Sequence, residues 1–250
     1  MKLPTLHRFS AFSRKGREAL RRLLPDSRRG TPMPLPGRFQ PYNHTLPNRY
    51  PWLFEFAAAH LGSLPGQRIL SFGCSRGDEV FALRNYFPQA AIKGIDIDRG
   101  NIDGCQARAR EQNCGDTRFA AAATTQAEPD GHYDAIFCLA VLCHGDLAST
   151  GARRSDPLLY FVDFERMVTD FARCVKPGGL LLLHTTNFRF SDTAVSAGFD
   201  TVLEADPTQL ATDAVFDRDN RLIEGVRYRA VGFRKHGKPA RQASLSAAAG

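Results

Sequence analysis

Three groups of residues in this 250-residue chain have the types and spacing to do chemistry. The first is the loop Phe72-Gly73-Cys74-Ser75-Arg76-Gly77, followed at once by Asp78 and Glu79. Small residues at 73, 75 and 77 let a ligand approach the backbone closely, where a larger side chain would fill the space. A helix opening after such a loop offers free N–H groups that attract carboxylate or phosphate. Here, however, the helix begins with two acids, which repel a pyrophosphate and suit a ligand carrying an ammonium group. A dinucleotide fingerprint needs glycine at 73, 75 and 78, whereas the chain has Gly73, Ser75 and Asp78, and no P-loop lysine follows. NAD and ATP are disfavoured on these grounds. The second group is Asp96, 19 residues beyond Gly77, where a carboxylate can accept hydrogen bonds from both hydroxyls of a ribose. Asp98, just before a polar helical stretch, reads equally well as a helix cap. The third is Leu139-Ala140-Val141-Leu142-Cys143-His144-Gly145-Asp146. His144, with an ordinary pKa of about 6.5, suits proton removal at neutral pH. A histidine that only bonds its own loop is the alternative. Asp146 either orients that histidine or caps a helix, and His184 and Asn187 are secondary candidates.

These residues need elements to position them, and the chain supplies an alternation of short apolar runs with helical stretches. Around Trp52, Phe54, Phe56 and Ala57–Ala59 the pattern predicts a helix ending near Gly62. Strands follow at Arg68–Phe72, Ala91–Asp96, Thr117–Ala122, Tyr133–Leu139 and Leu180–His184. Helices are expected over Asp78–Phe87, Arg99–Gln112 and Leu158–Val175. The last of these sets Phe161, Phe164, Val168, Phe171 and Val175 on one face at alternating three- and four-residue spacing. Pro177-Gly178-Gly179 is expected to stop it. Strands alternating with helices imply a mostly parallel, doubly wound α/β sheet with helices on both faces. Ala214–Phe216 and Arg221–Ile223 flank a turn at Asp217–Asn220, and Glu224–Arg234 reads as a final strand.

Composition bounds the rest. Hydrophobic residues make up 43% and charged residues 24%, enough to build a globular core. No long uncharged apolar stretch of membrane-spanning length occurs. The six cysteines form no C-x-x-C pair and no Cys–His cluster at zinc spacing, so no metal site is expected and a reducing, cytoplasmic setting fits. The net charge of +7 is concentrated: residues 1–38 hold ten Lys/Arg against Glu18 and Asp26, and the remainder is close to neutral. The expected organisation is a basic, proline-rich, flexible arm over residues 1–44, a folded domain over 45–236, and a disordered Ala/Ser-rich tail over 237–250. The arm's opening stretch, rich in Arg and Ser and without acids, resembles an organelle transit peptide, and a secretory signal is not expected because no continuous apolar h-region occurs. The arm is also the part that would meet a nucleic acid or an acidic partner.

Residues 67–186 resemble the class I, Rossmann-like, S-adenosylmethionine-dependent methyltransferases. The resemblance rests on the glycine loop, on Asp96 closing the second strand, on Tyr133-Asp134-Ala135-Ile136-Phe137-Cys138 as the fourth strand, and on Lys176-Pro177-Gly178-Gly179-Leu180 before the fifth. It implies a sheet of about seven strands with an antiparallel C-terminal strand, and S-adenosylmethionine as cofactor. It further implies a cofactor site drawn from Phe72, Gly73, Cys74, Ser75, Gly77, Glu79, Asp96, Ile97, Leu139 and Ala140. The loop departs from the common pattern at Ser71 and Ser75. In this it is similar to chemotaxis-receptor methyltransferases, where an acid after the loop contacts the methionine amino group, a role that falls on Glu79. Ala120–Ala123 stand where many relatives have an acid for the adenine amine, so Thr124, Thr125, Gln126 or the backbone is expected to serve. His144 is the expected general base. A Pro-Cys pair and an Asn/Asp-Pro-Pro-aromatic motif are absent, which argues against base methylation and against Cys143 as nucleophile. The expected acceptor is a small molecule, methylated at oxygen or nitrogen and seated by residues 46–52, by the loop with Arg153 and Arg154, and by residues 187–225 with Phe188, Arg189 and Phe190. The alternatives are an RNA or protein methyltransferase using the basic arm, and a non-catalytic module that binds the cofactor and regulates a partner.

Overall fold

The computed structural model describes residues 39–43, 45–62, 64–210 and 214–237. The expectations for the basic arm through residue 38 and for the tail beyond 237 lie outside these residues.

The apolar runs become strands and the amphipathic stretches helices, largely where the periodicity places them. In chain order these are α1 (Pro51–Leu61), β1 (Arg68–Phe72), α2 (Asp78–Tyr86), β2 (Ala91–Asp96), α3 (Arg99–Glu111), β3 (Thr117–Ala121) and β4 (Tyr133–Leu139). There follow α4 (Gly145–Ser149), α5 (Phe161–Cys174), β5 (Val175–His184), two 3-10 turns (Phe190–Asp192 and Ala194–Gly198), β6 (Phe199–Glu204) and β7 (Ala230–Lys235). The seven strands form one sheet in the order β3-β2-β1-β4-β5-β7-β6. β1 to β5 pair in parallel, with Ile69 set between Ile92 of β2 and Ala135 of β4, while β7 runs antiparallel to both neighbours. This is the Rossmann-like methyltransferase fold expected from the sequence.

Both faces of the sheet are covered, which is why β1 and β4 read as nearly unbroken apolar runs. On one face α5 packs Phe164, Val168 and Phe171 against Leu70, Phe72 and Ile136. On the other, Leu53 and Phe54 of α1, Val80 and Leu83 of α2, and Ile102 of α3 cover Ile69, Ile92 and Phe137. The Arg84 guanidinium ties the end of α2 to the sheet by donating to Ala90 O (2.7 Å), Asp116 O (3.1 Å) and Thr117 Oγ1 (2.9 Å).

Four differences from the sequence reading have local causes. α5 ends at Cys174, because the chain turns extended at Val175, ahead of Pro177, and Val175 already pairs with Tyr133 across a register shift. β6 was not expected as a strand; it is the sheet's edge, and its half-exposed residues carry no alternating pattern. The final strand begins at Ala230 rather than Glu224. The segment 39–43, placed in the arm by its composition, packs on the domain instead, with Phe39 only 5% exposed. The turn at Asp217–Asn220 forms as expected, closed by Asp217 N to Arg221 O at 2.8 Å. Among the described residues no helix is long and apolar enough to cross a membrane.

Candidate cofactor site

In a doubly wound sheet the helices after β1 and β4 leave in opposite directions, and a crevice opens beyond the strand ends where the order reverses. Here β1 lies between β2 and β4, and the crevice above it is a cavity. Phe72, Gly73, Cys74, Ser75, Glu79, Asp96, Ile97, Leu139 and Ala140 all line it.

The glycine loop owes its path to one close approach. Gly73 has φ 75°, and a Cβ built there would lie 2.3 Å from Val141 Cγ2, so only glycine lets β1 turn beneath the β4 loop. The turn is held by Gly73 N and Cys74 N donating to Ile95 O at 2.7 and 3.0 Å. Ser75 (φ 50°), Ala140 (φ 57°) and Thr185 (φ 58°) are also left-handed, each following a different strand of the parallel sheet. Strained non-glycine residues gathered at one end of a sheet are a mark of a functional site. Gly77 does not line the cavity. It precedes α2, where its missing Cβ leaves room for Cys105 Sγ and the Phe81 ring, so its smallness serves packing.

Asp96 holds the loop from the side. Its Oδ2 accepts from Ser75 N at 2.7 Å, and its Oδ1 accepts from Asp98 N at 2.8 Å and Asn101 Nδ2 at 3.4 Å. Asp98 itself caps α3, accepting from Asn101 N at 3.1 Å. At another wall of the cavity Ser71 donates its hydroxyl to Glu79 at 2.8 Å. Burial pushes the Glu79 carboxyl up to about 7, opposed by the Ser71 hydrogen bond and by the charge of Arg49. Arg49 lines the same cavity, with its guanidinium 5.0 Å from the Tyr50 ring centre.

A strap missed by the sequence reading crosses this cavity. Phe39 enters the core, Gln40 donates to Cys143 Sγ at 3.3 Å, and Tyr42 donates to Asp146 at 2.9 Å. Asn43 is hydrogen-bonded to Ser75 Oγ and donates to Asn101 Oδ1 at 2.9 Å. Gln40, Tyr42 and Asn43 line the cavity. No sequence signal marks them, since they sit in a proline-rich stretch without periodicity.

Several candidates fall elsewhere. His144 does not line the cavity; it precedes α4, where its Nδ1 accepts from Asp146 N at 3.3 Å, and its own N–H donates to Asn187 Oδ1 at 2.6 Å. The Tyr42 ring stands edge-on to it, 6.4 Å between centres, and burial lowers its pKa. Asn187, 1% exposed, clamps two loops by also donating to Ala214 O at 2.7 Å. His184 is buried against Tyr50 and Trp52, with both ring nitrogens engaged by Gln209 O and Thr185 Oγ1. Phe188 and Phe190 are core residues. Arg153, Arg154 and Arg189 are paired with Glu224, Asp156 and Asp192. Thr124, Thr125 and Gln126 lie off the cavity, whose wall after β3 is Ala122 and Ala123. Among the described residues no group of three or more His, Cys, Asp or Glu is placed to hold a metal.

The donor set fits S-adenosylmethionine. A carboxyl and a guanidinium in one cavity match an ammonium and a carboxylate, Asp96 matches a diol, and the Gly73 turn provides the close backbone approach. Residues 70–183 match the family described as "Methyltransferase domain". No curated protein matches the sequence. Among solved structures, the YcgJ protein of Bacillus subtilis is 19% identical, over 64% of this chain and 53% of that one, with a TM-score of 0.40. The [4+2]-cyclase SpnF is 21% identical over 53% and 43%, TM-score 0.40. The geranyl diphosphate C-methyltransferase of Streptomyces coelicolor, solved with Mg2+, geranyl diphosphate and S-adenosyl-L-homocysteine, is 20% identical over 53% and 44%, TM-score 0.39. The chain thus spans about half the length of these solved chains. Residues 70–183 are thus similar to a methyltransferase family whose methyl donor is S-adenosylmethionine, and they lie on a sheet with the strand order of the Rossmann-like methyltransferase fold.

Proposed function

We propose that the protein transfers a methyl group from S-adenosylmethionine to an oxygen or nitrogen of a small-molecule acceptor. The observation that carries this reading is the convergence of Glu79, Arg49 and Asp96 on one cavity at the β1/β4 reversal. When bound, the cofactor would supply a methyl carbon already activated by its sulfonium, so alignment and exclusion of water are what the protein must add. Glu79, held near neutrality by burial, would give up its proton as an ammonium group takes the place of the lost solvation. Arg49 would take the carboxylate of the same amino-acid group, and Asp96, already fixed by Ser75 N and Asp98 N, would use its remaining lone pairs for the ribose diol.

His144 enters as a positioning residue rather than as the base. Its Nδ1 holds the first turn of α4, and Tyr42, not His144, lines the cavity, with its ring edge-on to the imidazole. On this reading, the acceptor's own acidity or its solvent contact disposes of the proton. The test is calorimetric titration of the full chain with S-adenosylmethionine, S-adenosylhomocysteine and NADH, followed by an acceptor screen. Binding of the first two and not the third is the expected result. Tight binding without turnover on any extract would favour a cofactor-binding regulatory module instead.

A further inference from the structure

The cofactor reading above leaves no charge in the cavity unassigned. Among the described residues its only charged side chains are Arg49, Glu79, Asp96 and Asp98. Glu79 and Arg49 suit the two ends of an amino acid, Asp96 suits a diol, and Asp98 is engaged in capping α3. A second ligand sharing this space finds no free cation for a carboxylate and no free carboxylate for an amine. Burying an unpaired charge there is costly. Arg153, Arg154 and Arg189, which could have drawn an anion, are paired with acids.

What remains of the lining is mostly apolar, and part of it faces water. Seven large apolar side chains are exposed among the described residues, and three of them, Tyr42, Leu46 and Ile97, line this one cavity. Scattered exposed apolar residues are ordinary, but three gathered at one cavity mark a surface that a ligand covers. Leu46, 64% exposed, is the most open of the three. Asn43, three residues before it, is hydrogen-bonded to Ser75 Oγ and Asn101 Oδ1, and both partners' residues also touch Asp96. Arg49 follows Leu46 by three residues and lines the cavity with Glu79. Three residues span at most about 11 Å, so Leu46 lies within that reach of both ends of the cofactor site. The sulfonium of S-adenosylmethionine lies between those ends.

We infer that the methyl acceptor is an uncharged, largely apolar molecule carrying a phenolic hydroxyl, and that it is seated over Tyr42 and Leu46. This rests on the cofactor reading above. Its oxygen bonds the methyl carbon as the carbon–sulfur bond breaks, the bonding pair stays on sulfur, and the phenol proton passes to solvent. A phenol is acidic enough to need no histidine in the cavity, and its ring suits the tyrosine and leucine side chains there.

The experiment is calorimetry on the full chain saturated with S-adenosylhomocysteine. Three probes of one ring system are titrated: naphthol, its carboxylated analogue hydroxynaphthoate, and its aminomethyl analogue. Naphthol should bind, and each charged analogue should bind at least about tenfold more weakly, the effect of an unpaired charge. Leu46→Asn, a change at an exposed position, should weaken naphthol about fivefold while S-adenosylhomocysteine still binds. A charged analogue that binds as tightly as naphthol overturns the inference. So does naphthol failing to bind, or Leu46→Asn leaving its affinity unchanged, and in each case bound S-adenosylhomocysteine keeps the cofactor reading. If S-adenosylhomocysteine itself does not bind, both fall.

Discussion

Ser71 donates its hydroxyl to Glu79 at 2.8 Å from the last turn of β1 into the first turn of α2. The pair puts a carboxyl group into a desolvated wall of the cofactor cavity and leaves it titrating at about 7. A carboxyl in that state is poised to respond to a cation. An ammonium ligand favours the ionised form, so affinity should rise with pH below 7 and level off above it. Titration calorimetry at pH 6, 7 and 8, in buffers of different ionisation enthalpy, should show proton release near pH 7. Glu79→Gln should bind more weakly, release no proton and show a flat profile.

The same carboxyl has a stability consequence of opposite sense. Its pKa is raised on folding from the ordinary 4.5. The native state therefore holds the proton where the unfolded chain has lost it. Its stabilising contribution is complete below about pH 4.5 and is lost as pH rises through 7, by on the order of 3 kcal/mol. Glu79→Gln should accordingly melt higher than wild type at pH 8, with the difference shrinking towards pH 5. Equal melting behaviour across that range would contradict the assigned burial.

Asp96 serves the fold before it serves any ligand. Asp96→Ala leaves Ser75 N and Asp98 N without their acceptor, a loss of about 1–3 kcal/mol in chemical denaturation. Cofactor affinity should fall at least about tenfold as well, since loop and diol contacts go together. Asp96→Asn, which keeps one acceptor oxygen, should recover much of the stability and little of the affinity.

His144 separates two roles cleanly. His144→Asn keeps a side-chain acceptor for Asp146 N, whereas His144→Ala removes it at a cost of about 1 kcal/mol. If the residue positions α4, the Asn variant keeps near-normal turnover and the wild-type pH–rate profile. A lost ascending limb between pH 5.5 and 7.5 would instead restore the general-base assignment.

Gly73 tests the turn itself. Gly73→Ala would force a Cβ to 2.3 Å from Val141 Cγ2 at φ 75°, and should cost about 2–4 kcal/mol. Adding Val141→Ala should return part of that loss, the left-handed strain remaining. Urea denaturation of the single and double variants measures both terms.

Much of this architecture was legible from local pattern. β1, β2 and β4 begin and end at the residues the apolar runs mark, because a strand buried on both faces must be apolar throughout. Gly73 and Asp96 were legible for a related reason, each sitting where a strand gives way to a turn, whereas Glu79, in the first turn of α2, was singled out by the resemblance to chemotaxis-receptor methyltransferases. β6 was not, since an edge strand is under no such demand and its sequence alternates with nothing. Three further matters belonged to the tertiary structure. His144 and His184 look alike as candidate bases in a sequence, and only the groups packed around their rings show that both are engaged in holding loops. Ser71 looks like a lost acid until its hydroxyl is seen on Glu79. The strap over the cavity has no periodicity to betray it, because Phe39, Gln40 and Asn43 gain their meaning from partners more than 30 residues away in the chain. Local sequence determines which backbone a segment prefers, whereas desolvation and hydrogen-bond partners depend on what the fold brings alongside.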